Sequence, residues 1–129
     1  MMKSILVALA LLLSANTALA EQYVVFGCNY EEGKGSADLQ RWFDMFAKPA
    51  LEAAGAEAEI SVLTPTVSNN PSTPDFYWIE RWPDLATYGK QAGLFFDPGA
   101  KYANVVAEAF KNWDCTNAIY AGTVFHKGK

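Results

Sequence analysis

Residues 75–82, DFYWIERW, carry large apolar side chains on both faces of a predicted β-strand. Successive side chains in a strand point to opposite faces. One face holds Phe76, Trp78, Glu80 and Trp82, and the other holds Asp75, Tyr77, Ile79 and Arg81. Because one layer of helices covers only one face of a sheet, a second copy of the chain is the simplest cover for the other. The strand therefore predicts a homodimer that forms through its sheet.

Three further segments have strand patterns. β-Branched and aromatic residues, or strict alternation of apolar and polar residues, mark residues 22–30, 56–64 and 115–126. The stretch PTVSNNPSTP, rich in proline and asparagine, separates the second of these from residues 75–82 and predicts a loop.

Two regions between the strands have helical periodicity. Apolar residues recur every three or four positions over residues 39–54, and Gly55 is a natural C-terminal stop. Pro49 cannot donate a backbone hydrogen bond within that helix, so we expect a kink or break near Lys48. The second region, residues 83–113, is expected to be split into two halves.

Each half of the second helical region is predicted to begin with a proline beside an aspartate. Pro83 takes the first helical position with Asp84 in the first turn, and Asp97 with Pro98 repeats the arrangement. The apolar face of the second half extends to Trp113. The resulting order of elements predicts an α+β fold, a ferredoxin-like βαββαβ sandwich with a split second helical region.

Residues 1–20 are predicted to be a secretory signal peptide. Lys3 precedes an apolar run over residues 5–13, and Ala18 and Ala20 supply the small residues of a cleavage site before Glu21. The run is too short to span a bilayer comfortably, and no later segment approaches the roughly 18 apolar residues that a span requires. A retained anchor is the alternative. We therefore expect one mature domain, residues 21–129, that is secreted or periplasmic and has no membrane span.

The chain has two cysteines, Cys28 in the first predicted strand and Cys115 at the start of the last. In an oxidising compartment two cysteines predict a disulfide, with two free buried thiols as the alternative. In the ferredoxin-like order the first and fourth strands are antiparallel neighbours, which places the end of one beside the start of the other. The predicted fold and the predicted disulfide therefore agree.

Charge and motifs exclude several classes of partner. The net charge is −4, and it becomes −5 when residues 1–20 are removed, since Lys3 leaves and no acidic residue does. The basic residues are scattered, so no nucleic-acid partner is predicted. The stretch EEGKGSAD has neither the alternating oxygen ligands of a calcium loop nor a phosphate-binding glycine pattern. We expect no cofactor and no metal, and we find no paired nucleophile and base.

A strand that ends in Glu80-x-Trp82, followed by Asp84 and a short helix leading to Phe95 and Phe96, resembles the antibiotic-biosynthesis-monooxygenase-like proteins of the dimeric α+β barrel superfamily. The resemblance implies a homodimer whose two open sheets close a barrel, with a pocket between each sheet and its own helices. Members include cofactor-free oxygenases acting on aromatic polyketides, haem-degrading enzymes and isomerases.

The chain departs from this family in its histidines. Many members have a histidine in the short helix after Glu-x-Trp, where this chain has Lys90 and Gln91. Its single histidine is His126, near the C-terminal end. Haem-degrading members use an asparagine on the first strand, a tryptophan and the helical histidine. Asn29 could fill the first role, but the missing histidine argues against haem degradation.

Glu80 is the candidate catalytic residue. Desolvation by the aromatic rings on its strand face would raise the pKa of its carboxyl group and make it an acid or base. The alternative is a structural ion pair with an arginine or lysine at the dimer interface. The candidate ligand-binding residues, which share that face or offer polar groups to an aromatic ligand, are Asn29, Tyr30, Trp78, Glu80, Trp82, Tyr88 and Tyr120.

Two functions remain open from the sequence. The first is a binding or accessory protein of the cell envelope that holds a small apolar or aromatic ligand. The second is a cofactor-independent monooxygenase or isomerase with Glu80 in its pocket. The missing helical histidine favours the first, whereas a pocket lined by Glu80 with a raised pKa would favour the second.

Overall fold

Four antiparallel strands form one sheet in the computed structural model, which describes residues 20–122 and Gly128. The strands are β1 (Gln22–Tyr30), β2 (Glu59–Leu63), β3 (Phe76–Trp82) and β4 (Trp113–Ala121). Their order across the sheet is β2-β3-β1-β4. Residues 1–19 of the predicted signal peptide, and His126, lie outside the described residues.

Helices cover one face of this sheet. They are α1 (Ser36–Trp42), α2 (Lys48–Ala54), α3 (Leu85–Phe96) and α4 (Ala103–Ala109). One buried cluster joins Leu39 and Ala109 of the helices to Cys28 and Phe76 of the sheet. The fold is therefore the predicted ferredoxin-like α+β sandwich.

The interruption predicted near Lys48 is a π-helical turn over Phe43–Ala47, between α1 and α2. At its end the backbone N–H of Lys48 donates to the carbonyl oxygen of Phe43, five residues earlier. Pro49 follows in the first turn of α2, where the missing N–H does little harm to the helix. The wider turn thus lets the chain continue through a proline that would break a regular α-helix.

The second helical region is split as predicted, but its two halves begin elsewhere. Asp84 is the N-cap residue of α3, where its Oδ1 accepts a hydrogen bond of 2.7 Å from the backbone N–H of Thr87, so Pro83 precedes the helix. Asp97 ends α3 instead of starting the next helix. A turn containing Gly99, at a φ of 70°, intervenes before Ala103 begins α4. A positive φ of this size is one that glycine adopts without strain.

β4 begins two residues earlier than predicted, because its first residues pair with β1. Trp113 was predicted on a helix face, but it is the first residue of β4 and lies opposite Tyr30. The helix before it, α4, ends at Ala109 and is shorter than its apolar pattern indicated. Long-range pairing in the sheet therefore overrides local helical periodicity at Trp113.

The predicted disulfide is confirmed. Cys28 lies directly opposite Cys115 in the pairing of β1 with β4, and the two Cα atoms are 4.1 Å apart. The bond links residues separated by 87 positions and ties the centre of the sheet to its edge strand.

The sheet face opposite the helices, here called the open sheet face, carries apolar groups. Strand alternation and register place Leu63, Tyr77, Ile79, Tyr23, Val25 and Tyr120 on it. Leu63 is 53% exposed and Tyr120 is 56% exposed, whereas the other four are partly buried. The described helices all pack on the other face. β3 therefore carries large apolar side chains on both faces of the sheet, as the sequence predicts.

Removing the disulfide should lower the free energy of unfolding by about 4 to 5 kcal/mol, because the bond closes a long loop in the unfolded chain. The double variant Cys28→Ala/Cys115→Ala can be compared with the oxidised wild type by urea unfolding at pH 7. Wild-type protein unfolded with its disulfide reduced is the control for the loss of side-chain packing in the variant. A loss below about 1 kcal/mol in both would contradict the loop-closure argument.

Candidate functional site

A cavity of about 100 Å³ lies between the sheet and the helices. Ten aromatic side chains line it, and they include Trp42, Trp78, Trp82 and Trp113, which are all the tryptophans of the chain. Since a single water needs roughly 10 to 15 Å³ of such space, the cavity has room for a small organic molecule. Its wall is almost wholly apolar.

Three strands and four helices contribute to the wall. β3 contributes alternate side chains from Phe76 to Trp82, and β1 contributes Phe26. The Cys28–Cys115 disulfide forms part of the same wall. Opposite the sheet, the four helices and the π-helical turn supply further aromatic and aliphatic groups. The cavity is therefore a product of the sheet face and the helices that cover it.

Glu80 is the acidic residue in this wall, and two indoles bind it. Trp78 Nε1 donates to Glu80 Oε1 at 3.0 Å, and Trp82 Nε1 donates to Glu80 Oε2 at 2.9 Å. The two tryptophans are two residues before and after Glu80, so strand alternation puts all three on one face. Each carboxylate oxygen consequently has one indole donor.

Within one copy of the chain, Glu80 forms no ion pair with another described residue. The ion pairs among the described residues join Arg41 to Asp38, Arg81 to Glu59 and Lys111 to Glu108. Arg81, next to Glu80 in sequence, points to the open sheet face, and its Nη2 lies 3.0 Å from Glu59 Oε2. The partly buried Glu80 is instead held by neutral donors.

Burial changes the acidity of two groups in the cavity. Desolvation raises the pKa of the Glu80 carboxyl, and the two indole hydrogen bonds offset part of that rise because they stabilise the charged form. Desolvation also raises the pKa of the Tyr88 hydroxyl, and the negative charge of Glu80 raises it further. Tyr88 therefore senses the charge on Glu80, and its ring packs edge-on against Trp82 with centroids 5.7 Å apart.

Of the predicted ligand-binding residues, Trp78, Glu80, Trp82 and Tyr88 line the cavity. All four come from β3 and the first half of α3. This is the segment whose Glu80-x-Trp82 and following helix resemble the antibiotic-biosynthesis-monooxygenase-like proteins. Their roles in binding or catalysis remain predictions.

Asn29, Tyr30 and Tyr120 do not line this cavity. Asn29 is exposed, and its Oδ1 accepts a hydrogen bond of 3.3 Å from the backbone N–H of Asp75. Tyr30 shares the helix face of the sheet but stacks on Phe76, with centroids 4.9 Å apart, at the end of the strand. Tyr120 lies on the open sheet face. Strand alternation and position along the strand therefore separate these three residues from the cavity.

Sequence reasoning did not assign a role to Gln91, a polar residue of the cavity wall. Its Nε2 donates to the carbonyl oxygen of Gly55 at 3.1 Å, and its Oε1 accepts from the backbone N–H of Glu57 at 3.2 Å. Gln91 thus fastens α3 to the connection after α2. The signal available in the sequence was its spacing of three residues from Tyr88, which places both on one side of a helix.

Two features are absent from residues 20–122. No group of three or more histidine, cysteine, aspartate or glutamate side chains in that range could hold a metal ion. No helix there has the length and apolar content needed to cross a membrane.

No protein-family model matches the chain, and no curated protein is similar to it in sequence. Several solved structures share its fold. SnoaB, a cofactor-independent oxygenase from Streptomyces nogalater, is 11% identical with a TM-score of 0.53, and the match covers 81% of this chain and 95% of that one. HapK from Hahella chejuensis is 9% identical with a TM-score of 0.57, covering 83% and 99%.

A hydroxynitrile lyase from Passiflora edulis is 12% identical with a TM-score of 0.57, and the match covers 85% of this chain and 99% of that one. At such identities the likeness shows the fold alone. The shared fold agrees with the α+β fold that the sequence predicts.

The raised pKa of Glu80 predicts how stability changes with pH. Between the ordinary glutamate pKa of about 4.3 and the higher folded-state pKa, the folded protein binds more protons at Glu80 than the unfolded chain does. The wild type should therefore lose stability relative to Glu80→Gln as pH rises through that window, and the difference should level off above it. Urea unfolding of both proteins across this range measures the effect, and a difference that stays constant or changes in the opposite direction would refute it.

Proposed function

We propose that this chain is an exported protein that binds a small apolar or aromatic ligand in the cavity between its sheet and its helices. The observation that supports this most directly is the composition of the cavity wall, in which ten aromatic side chains surround one partly buried carboxylate. Ligand sites are typically apolar concavities with a few placed polar groups. Glu80 and Tyr88 are the polar groups proposed to orient the ligand.

A second candidate is a cofactor-independent monooxygenase or isomerase. It is favoured by the placement of Glu80 in the cavity with a raised pKa, since a general base works best when its pKa approaches the working pH. Two proteins of the same fold are a cofactor-independent oxygenase and a hydroxynitrile lyase. In this candidate function Glu80 takes a proton from the ligand or returns one to it.

Export is proposed from two independent features. The pattern of residues 1–20 is that of a signal peptide. The Cys28–Cys115 disulfide is the kind of bond that persists in secreted and periplasmic proteins. A secreted or periplasmic location accounts for both.

A homodimer is proposed through the open sheet face. Tyr77 and Ile79 at its centre, with Leu63 and Tyr120 towards its edges, form an apolar surface that the described helices leave uncovered. Pairing two such faces would remove this surface from water and close the barrel that the family resemblance implies.

Filling the cavity should abolish ligand binding. Ala92 lines the cavity from α3, so Ala92→Phe should weaken the binding of benzyl alcohol and 3,3-dimethyl-1-butanol at least about tenfold by occupying their space. Ala86, exposed on the same helix, supplies the matched control Ala86→Phe. Isothermal titration of the three proteins, with circular dichroism to establish folding, decides the matter. Equal binding by all three proteins would contradict the proposal, as would a wild type that binds neither these two probes nor choline, a cation of the same shape as 3,3-dimethyl-1-butanol.

A charge on the open sheet face should dissociate the dimer. Ile79→Arg places an unpaired cation at the centre of the proposed interface, and we expect the dimer dissociation constant to rise at least about a hundredfold. Val67, which is 94% exposed in the loop between β2 and β3, provides the control Val67→Arg. Sedimentation velocity at micromolar concentration should show a dimer for wild type and control and a monomer for Ile79→Arg. A monomeric wild type would overturn the homodimer.

A further inference from the structure

The cavity contains a carboxylate to which the described part of the chain supplies no cation. The three ion pairs of that part all lie outside the cavity wall, and the two partners of Glu80 are neutral indoles. A carboxylate withdrawn from water is stabilised fully only when donors and an opposite charge replace its hydration. Two donors are present, so the missing element is a positive charge.

The aromatic side chains of the wall also favour a positive charge. Aromatic faces attract cations through the negative potential of their π-systems, and tryptophan does so most strongly. Trp78 and Trp82 donate to the Glu80 carboxylate, and Tyr88, whose ring packs against Trp82, is close enough for the charge of Glu80 to raise its pKa. An aromatic enclosure with one acidic group is the arrangement that recognises alkylated ammonium ions.

We propose that the ligand of this cavity is a small organic ammonium ion, with its charged nitrogen near Glu80 and its carbon substituents against the aromatic wall. The proposal rests on the cavity being a ligand site, and it narrows the ligand from apolar molecules in general to cations with an apolar surface. A fully alkylated ammonium suits the site best, because it has no N–H groups that would need hydrogen-bond partners within the apolar wall.

The cavity wall also defines how binding should depend on pH. The titratable groups that face it are Glu80 from β3 and Tyr88 from α3. The wall residues from β1, β4, α1, α2 and α4 carry no titratable group, since Cys28 and Cys115 are joined in the disulfide. Burial raises the pKa of the Glu80 carboxyl above its ordinary value, and the pKa of the Tyr88 hydroxyl is raised above its already high one. As pH rises from acidic values, Glu80 is therefore the group of the wall that gains charge first, before the Tyr88 hydroxyl.

Three probes of matched shape test the proposal by isothermal titration. Choline carries a trimethylammonium group, 3,3-dimethyl-1-butanol replaces its nitrogen by carbon, and 3,3-dimethylbutyrate carries a negative charge on a similar frame. We expect choline to bind at least about tenfold more tightly than the neutral alcohol, and the anion to bind more weakly than either. In Glu80→Gln the preference for choline over the alcohol should fall to about twofold or less.

The pH dependence in the wild type is a second measurement that needs no variant. Choline keeps its charge at every pH, so any change in its affinity with pH reflects the ionisation of groups in the protein. Its affinity should rise as pH increases through the Glu80 titration and then level off, while that of 3,3-dimethyl-1-butanol should change by less than about twofold. A choline affinity that falls or stays constant with rising pH would overturn the proposal.

The probe series distinguishes a failure of the cation proposal from a failure of the proposed function. If the neutral alcohol binds as tightly as choline, the cation proposal fails while the proposed function stands. If neither these probes nor benzyl alcohol bind, both fail. A preference for choline that is undiminished in Glu80→Gln would show that Glu80 does not hold the cation and would also overturn the proposal.

Discussion

The paired hydrogen bonds between Glu80 and the indoles of Trp78 and Trp82 are the interaction on which the centre of this structure depends. A carboxylate in an apolar wall loses its hydration and needs donors in return. The two tryptophans supply one donor to each carboxylate oxygen, and their rings form part of the wall. One strand face can therefore supply both a carboxylate and aromatic rings to the cavity wall, without a cationic side chain beside the carboxylate.

Side-chain hydrogen bonds from residues of the cavity wall also hold the helices that close the cavity. Trp42 lines the cavity, and its Nε1 donates to the carbonyl oxygen of Val105 at 2.9 Å, which connects the first helical region to α4. The π-helical turn starts at Phe43, directly after this tryptophan. Gln91 connects α3 to the chain after α2 in a similar way. These links are far apart in sequence, so the cavity forms only when the helices pack together.

The two faces of the sheet have different parts in the proposed function. The helix face supplies Glu80 and the aromatic wall, whereas the open sheet face carries Tyr77 and Ile79. The Cys28–Cys115 bond ties β1 to β4 and borders the cavity. Because alternate side chains of β3 belong to the two faces, the proposed ligand binding and the proposed dimerisation both depend on this strand.

Local periodicity was enough to establish the order of the elements, the break near Pro49, the pairing of Cys28 with Cys115 and the strand face that carries Glu80. These features depend on spacing within a segment or on the strand order of the fold. The partners of Glu80 could not be derived in this way, since alternation places Trp78 and Trp82 on its face but does not orient their N–H groups. Nor could spacing show that Asn29 and Tyr120 face away from the cavity or that Trp113 joins a strand. Those outcomes depend on which segments meet in space, and only the packed structure decides them.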